Sequence, residues 1–258
     1  MFETTTEDIS YVDLPVKYLD ADGNPTVQVE PWPLLDIHDT MGFLFEDAEV
    51  SIPTSKLREF WRNSKAFGEP WAEEISSDEM GITVPIGIYG DSARVDTNFG
   101  TEHILTIFVN AIMWRPRSVR WSRFLVCAIP ETRLTSETIP ALLRRIVWSA
   151  NHAFYGFYPQ VGHLGQNLSA KALKRAAKPL TGKGLRFQVV ELRGDWQFHK
   201  KVWRFHNTNW NAENVCHHCD AKGISDSWPE LYWNLDNNNH RDFSLPQFLV
   251  HRMPPRRV

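Results

Sequence analysis

Three apolar runs joined by short links, then a long amphipathic helix, then a fourth run: this order constrains the fold more than any other feature of the chain. The runs ITVPIGIYGD (Ile82 to Asp91), HILTIFVNAIM (His103 to Met113) and FLVCAIP (Phe124 to Pro130) are rich in β-branched residues and read as strands. SETIPALLRRIVWSANHAFYG follows, with Ile139, Leu142, Leu143, Ile146, Val147 and Ala150 at helical spacing. Thr135 or Ser136 is placed to cap it, and Gly156 to stop it. NLSAKALKRAAKPL reads as a second, basic helix ending near Pro179, and RFQVVELRGDW (Arg186 to Trp196) as the last strand. Short links predict an antiparallel meander, and the helical crossover predicts a last strand parallel to the first and beside it. The expected class is therefore α/β with a β-β-β-α-β mixed sheet.

That order gives meaning to a repeated dipeptide. The first and last strands each run into Gly-Asp, at Asp91 and Asp195. If the two strands are parallel neighbours, both carboxylates fall at one edge of the sheet. Two carboxylates held close repel unless a divalent cation lies between them. Mg²⁺ favours a few carboxylates with water and phosphate oxygens, and such ions can clamp the attacking and leaving oxygens of a phosphodiester. A Gly-Asp is also an ordinary turn after a strand, and the residues alone leave both readings open.

C-H-H-C, Cys216 to Cys219, supplies two thiolates at the spacing of half a tetrahedral Zn²⁺ site. No second C-x-x-C exists, so further ligands would come from histidines such as His199, His206, His217, His218, His240 or His251, or from another chain. Two unliganded thiols in a loop fit as well. Cys127, inside an apolar run, reads as core. Three cysteines make no disulfide framework, which favours a reducing, intracellular setting.

Charge is unevenly spread. The first 80 residues hold 18 acids and 5 bases, whereas the chain as a whole has 28 bases, 31 acids and a net charge of −3. Arg115, Arg117, Arg120 and Arg123 crowd one turn with Trp114 and Trp121 between them. Lys171, Lys174 and Arg175 lie on the second helix. Such clusters neutralise phosphates, and a Trp beside an Arg stacks an unpaired base, so DNA is the expected partner. Solvated basic faces would look the same. GHLGQN (Gly162 to Asn167) lacks the Lys-Ser/Thr of a phosphate loop, no G-x-S-x-G occurs, and no Ser-His-Asp arrangement stands out. No stretch approaches the ~20 apolar residues of a membrane span, and the acidic start is neither signal nor transit peptide. An oligomer is compatible with the sequence.

The runs PIGIYGDSARV and FLVCAIPETRL, with the later VVELRGDW and CHHCDAKG, resemble the catalytic core of eukaryotic cut-and-paste transposases of the Plavaka-like, CACTA-related kind. The resemblance covers roughly residues 55–225. It implies a ribonuclease H-like fold, with Mg²⁺ or Mn²⁺ held by two Asp and a third acid for DNA cutting and joining in the nucleus. On that basis Asp91 is the first metal ligand, Asp195 the second, and Cys216 and Cys219 half of a zinc site. The expected organisation is an acidic N-terminal extension with one helix over 1–80 and a catalytic-type core over 81–200. A zinc-stabilised C-x-x-C segment and irregular tail would follow over 201–258. The family's third acid lies on a later helix, and Glu230 is the nearest candidate here. The chain fits an incomplete, degenerate or domesticated member, or a catalytically inactive nucleic-acid-binding derivative.

Overall fold

The computed structural model describes residues 9–97, 100–118 and 122–203. The chain divides into two units, Met1–Arg193 and Gly194–Val258. The N-terminal segment was expected as a loop-rich extension with one helix. Over its described residues it instead begins with a regular antiparallel hairpin, β1 (Ser10–Leu19) and β2 (Pro25–Leu34). Val12, Leu14 and Val16 point inward and are buried, while Tyr11, Asp13 and Lys17 between them are exposed. Asp20 shapes the turn by accepting the backbone N–H groups of Asp22 and Asn24, at 3.0 and 2.8 Å, with Gly23 at positive φ. Four prolines stand in this hairpin, at 15, 25, 31 and 33, all of one parity in the register. Their missing donors coincide with positions whose nitrogens face away from the partner strand, so the ladder survives them.

Short helices follow: α1 (Ile37–Gly42), extended by a wide turn over Phe43–Asp47, then α2 (Thr54–Ala66) and α3 (Pro70–Glu73). The helix expected over 55–67 is α2, opened by Pro53 in place of a Ser55 cap. Leu57 and Trp61 form its buried face. The Trp61 indole donates 2.8 Å to the carbonyl of Thr83, and its ring packs with Ala72, Ile75 and Met80. Burying side chains of this size contributes roughly 1.5–3 kcal/mol each.

The central sheet has four strands in the order β5-β4-β3-β6. They are β3 (Thr83–Thr97), β4 (Gly100–Ala111), β5 (Phe124–Pro130) and β6 (Arg186–Gly194). The first three form the expected antiparallel meander, with an irregularity between Ile107 and Phe108 on β4. β6 lies beside β3 and runs parallel to it. The Arg186 N–H donates to the Ile82 carbonyl, and five residues further along both strands Glu191 lies against Gly87. The fold is thus mixed α/β with a mixed four-stranded sheet. One expectation is corrected: β3 does not end at Asp91. Asp91 pairs with Thr106 in mid-strand, and the ladder continues to Thr97 opposite Gly100. Ser92 to Thr97 pair residue for residue with β4, so no turn is required at the Gly-Asp.

One face of the sheet carries Val84 and Ile86 of β3 with Leu105, Ile107, Val109 and Ala111 of β4, all buried. The crossover helix α4 (Thr138–Tyr155) buries Ile139, Leu142, Ile146 and Ala153 and ends on Gly156 in the left-handed conformation. Thr135 accepts the N–H groups of Glu137 and Thr138 ahead of it, each at 3.2 Å. The hairpin is tied to β5, since Trp32 Nε1 donates to Ala128 O and the Leu35 N–H donates to Val126 O. The basic helix is one short segment, α5 (Ala170–Arg175), capped by Ser169 accepting from the Ala172 N–H at 3.2 Å. In the second unit the described element is α6 (Trp196–Trp203). Among the described residues, no helix is long and apolar enough to cross a membrane.

Candidate functional site

Two groups of side chains carry chemistry. The first lies on the sheet face opposite Val84 and Ile86. Successive residues of a strand alternate faces, so Gly87, Tyr89 and Asp91 share this one, as do their partners Asn110, Phe108 and Thr106 on β4. Gly87 is required by its neighbours. A Cβ there would stand 2.5 Å from Glu191 Oε1 and 2.8 Å from Asn110 Oδ1, so glycine admits two polar side chains from the flanking strands. Asp91 is half-buried. Its Oδ2 accepts from the Tyr89 hydroxyl at 3.0 Å and its Oδ1 from the Ser92 N–H at 2.8 Å. The Arg123 guanidinium lies 4.4 Å over the Tyr89 ring, and Phe108 sits 6.3 Å from that ring. Asp91 forms no ion pair among the described residues. Each of its carboxylate oxygens is thus held by one hydrogen bond.

Asp195 follows β6 directly, as the sequence suggested. It is exposed and begins α6, its Oδ1 accepting the Phe198 N–H at 2.6 Å and its carbonyl the His199 N–H. One carboxylate oxygen is therefore used as a helix cap. Arg115, Arg117 and Arg123 are exposed around the link from β4 to β5, and Lys171 and Lys174 are exposed on α5. Arg175 faces the other way, toward Asp39 and the Tyr158 ring. Arg120, Cys216, Cys219 and Glu230 lie outside the described residues.

The second group was not found by sequence reasoning. Asp36, His38 and Asp39 at the start of α1 place one ligand atom each within 4.8 Å of one another, a set able to hold a metal ion. Each is already engaged. Arg145 of α4 binds Asp36 through two bonds of 3.0 and 2.5 Å, with both side chains buried. Asp39 Oδ1 lies 2.9 Å from Arg175 Nη1, an electrostatic contact without hydrogen-bond alignment. Ser149 Oγ accepts the His38 backbone N–H at 3.2 Å and shares a second hydrogen bond, of 2.8 Å, with Nδ1. On the far side of the ring, Nε2 lies 3.8 Å from Asp39 Oδ2. Ser149 and Asp39 thus lie on opposite sides of the His38 ring, a grouping that was not legible in the sequence. Ser149 is 1% and His38 2% exposed, so no substrate reaches them. Two guanidinium groups balance the two carboxylates, which makes the site a poor host for a further cation.

Around this network His38, His152 and His163 converge on the Trp148 ring, at centroid distances of 5.4, 4.9 and 5.9 Å. Burial holds all three imidazoles below their usual pKa, most simply at His38. A histidine depressed in the folded state takes up protons in the unfolded state first. Its contribution to stability is intact above about pH 6.5 and falls as pH drops toward the folded value. His38→Gln keeps an amide for Ser149 and removes this titration. Urea midpoints at about pH 7.5 and 5.5 are expected to differ less in the variant, by up to ~1.4 kcal/mol per pH unit. Equal acid sensitivity in the two proteins would remove His38 from the account.

Comparison of the chain with protein-family models, with curated proteins and with solved structures gives no match.

Proposed function

We propose that the chain is a ribonuclease H-like domain of transposase origin that cleaves or transfers DNA strands, with Asp91 and Asp195 as ligands of Mg²⁺ or Mn²⁺. The observation that carries this reading is the strand arrangement. The Asp91 strand is flanked on one side by the antiparallel meander and on the other by a parallel strand reached through α4. In this reading, water or a 3′-hydroxyl attacks a phosphodiester in line, and the carboxylates hold the ions that offset the charge developing on the phosphate. The exposed Arg115, Arg117 and Arg123 would meet the DNA backbone. Cys216 and Cys219 would hold a structural Zn²⁺. The test is nicking of supercoiled plasmid with Mn²⁺, with Mg²⁺ and with EDTA, alongside zinc content of the purified chain and of Cys216→Ser. Metal-dependent nicking is the expected result, and its absence at any metal concentration would sink the catalytic reading. Unchanged zinc in Cys216→Ser would sink the zinc assignment.

A second reading, a catalytically inactive nucleic-acid-binding derivative of the same fold, is favoured by one observation. Among the described residues, the single group of three metal-ligating side chains is the one at Asp36, and Asp91 belongs to no such group. Salt-sensitive DNA binding without nicking is its expected signature.

A further inference from the structure

We infer that the outward face of the N-terminal hairpin is the contact surface for a second copy of this chain, packed sheet against sheet about a two-fold axis. The hairpin is a two-stranded sheet of its own, separate from the sheet that carries Asp91. Its polarity is inverted. The register sets Thr26, Gln28 and Glu30 of β2 on the side shared with the buried Val12, Leu14 and Val16. Val27, Val29 and Pro31 face outward instead, alongside Tyr11 and Leu19 of β1, and Val29 is 68% exposed. A sheet apolar on its outer face is one built to be covered.

The edges of the hairpin are closed to a further strand. Pro25, Pro31 and Pro33 remove donors from the outer edge of β2. On the outer edge of β1, the Pro15 carbonyl accepts from the hydroxyls of Thr135 and Thr138, and Val16 bridges Leu134. A partner therefore meets the face and not an edge.

Charge selects the occupant. Asp13 and Lys17 are the charged side chains on this face. Both are exposed, and neither forms an ion pair among the described residues. They stand two residues either side of Pro15, which pairs with Val29. A two-fold axis lying across the strands at that pair sets each Asp13 against Lys17 of the other copy. The same operation brings Tyr11 over Leu19, Val27 over Pro31, and Val29 over its own equivalent, as an isologous contact requires. Sheets packed this way lie about 10 Å apart with their strands within about 30° of alignment. A polyanion would gain Lys17 and be repelled by Asp13. The face offers five register pairs, from Tyr11 with Pro33 to Leu19 with Pro25. A standard interface uses roughly 20–30 residues a side, so a weak dimer is expected, with a Kd on the order of 10 μM.

Sedimentation velocity of the full chain between about 1 and 200 μM, with reductant and without DNA, tests this. A monomer–dimer equilibrium is the expected result. Asp13→Lys and Lys17→Asp each place like charges at both ends of the contact, and each alone is expected to weaken the dimer by roughly tenfold or more. Mixed in equal amounts, the two variants are expected to recover native-like affinity as a heterodimer, because every pair across the axis is then opposite in charge. Val29→Lys, at the axis, is expected to abolish association, and it decides the face should either reversal fail to fold. A chain that stays monomeric throughout would overturn the second copy as occupant, whatever else the face binds. Association that both reversals leave unchanged would place the contact elsewhere on the chain and overturn this face. Weakening by each reversal with no recovery in the mixture would overturn the two-fold pairing.

Discussion

Asp91→Asn is expected to abolish metal-dependent nicking while leaving the protein folded. Asparagine keeps the shape of the side chain and an oxygen for the Tyr89 hydroxyl or the Ser92 N–H, both of which the carboxylate accepts in the native protein. What it removes is the charge that would hold a divalent ion. Metal ions supply several kcal/mol of charge stabilisation in such displacements, so a loss of roughly two to three orders of magnitude in rate is expected. The stability change should stay within about 3 kcal/mol, because the side chain is half-buried and no more than one hydrogen bond to a charged acceptor is lost. Tyr89→Phe provides a graded control. It leaves the carboxylate and removes one of its two anchors, so a smaller fall, with a shifted metal-concentration dependence, is the expected signature of a positioning role. Nicking that survives Asp91→Asn unchanged would show that the repeated Gly-Asp serves the sheet alone.

The elements that the sequence made legible are those whose periodicity one face of burial enforces. Leu105, Ile107 and Val109 alternate with half-exposed residues along β4, and α4 shows its buried stripe at the spacing of 3.6 residues. β5 was legible to the residue, because Pro130 closes an otherwise unbroken apolar run. The continuation of β3 past Asp91 was hidden because Ala93 to Asp96 are exposed and, from Arg94 onward, pair with β4 beyond the end of β5, where no core enforces a pattern. The N-terminal hairpin was hidden by its prolines, which count against a strand when taken one at a time. Their common parity, read together with the buried alternation of Val12, Leu14 and Val16, was the signal that would have found it. The candidate site divides the same way. The neighbouring strands that Asp91 and Asp195 were read from were legible in the strand order, whereas the mid-strand position of Asp91 was not. The Asp36–His38–Arg145–Ser149 network joins residues more than a hundred positions apart, through the packing of α1 on α4, and nothing local in the sequence marks it. Arg175 read as part of a basic helix face, yet its own helix places it on Asp39, because α5 is short and lies close to α1.

That network carries the second large effect. Asp36→Asn is expected to destabilise the fold by about 3–5 kcal/mol, since it strands the Arg145 guanidinium in the interior with its charge uncompensated. Both partners are almost fully buried, at 2% and 8% side-chain exposure, and the guanidinium also stacks 4.3 Å over Trp148. The neighbouring pair makes the contrast. Asp39 and Arg175 are 24% and 36% exposed and poorly aligned, so Asp39→Asn should cost no more than about 1 kcal/mol. Urea denaturation separates the two, and the double variant Asp36→Leu with Arg145→Met decides the interpretation. Replacing both charges by apolar side chains of similar bulk is expected to recover most of the lost stability, because it removes the stranded charge along with its desolvation cost. If the double variant were instead as unstable as Asp36→Asn, packing around Trp148 and not charge would be the origin of the loss. Asp36 also favours the protonated form of His38, so neutralising it is expected to push the His38 pKa lower still and widen the pH range over which acid destabilises the fold. The same substitution thus reports on the ion pair through its size at neutral pH and on the histidine through its slope below pH ~6.5.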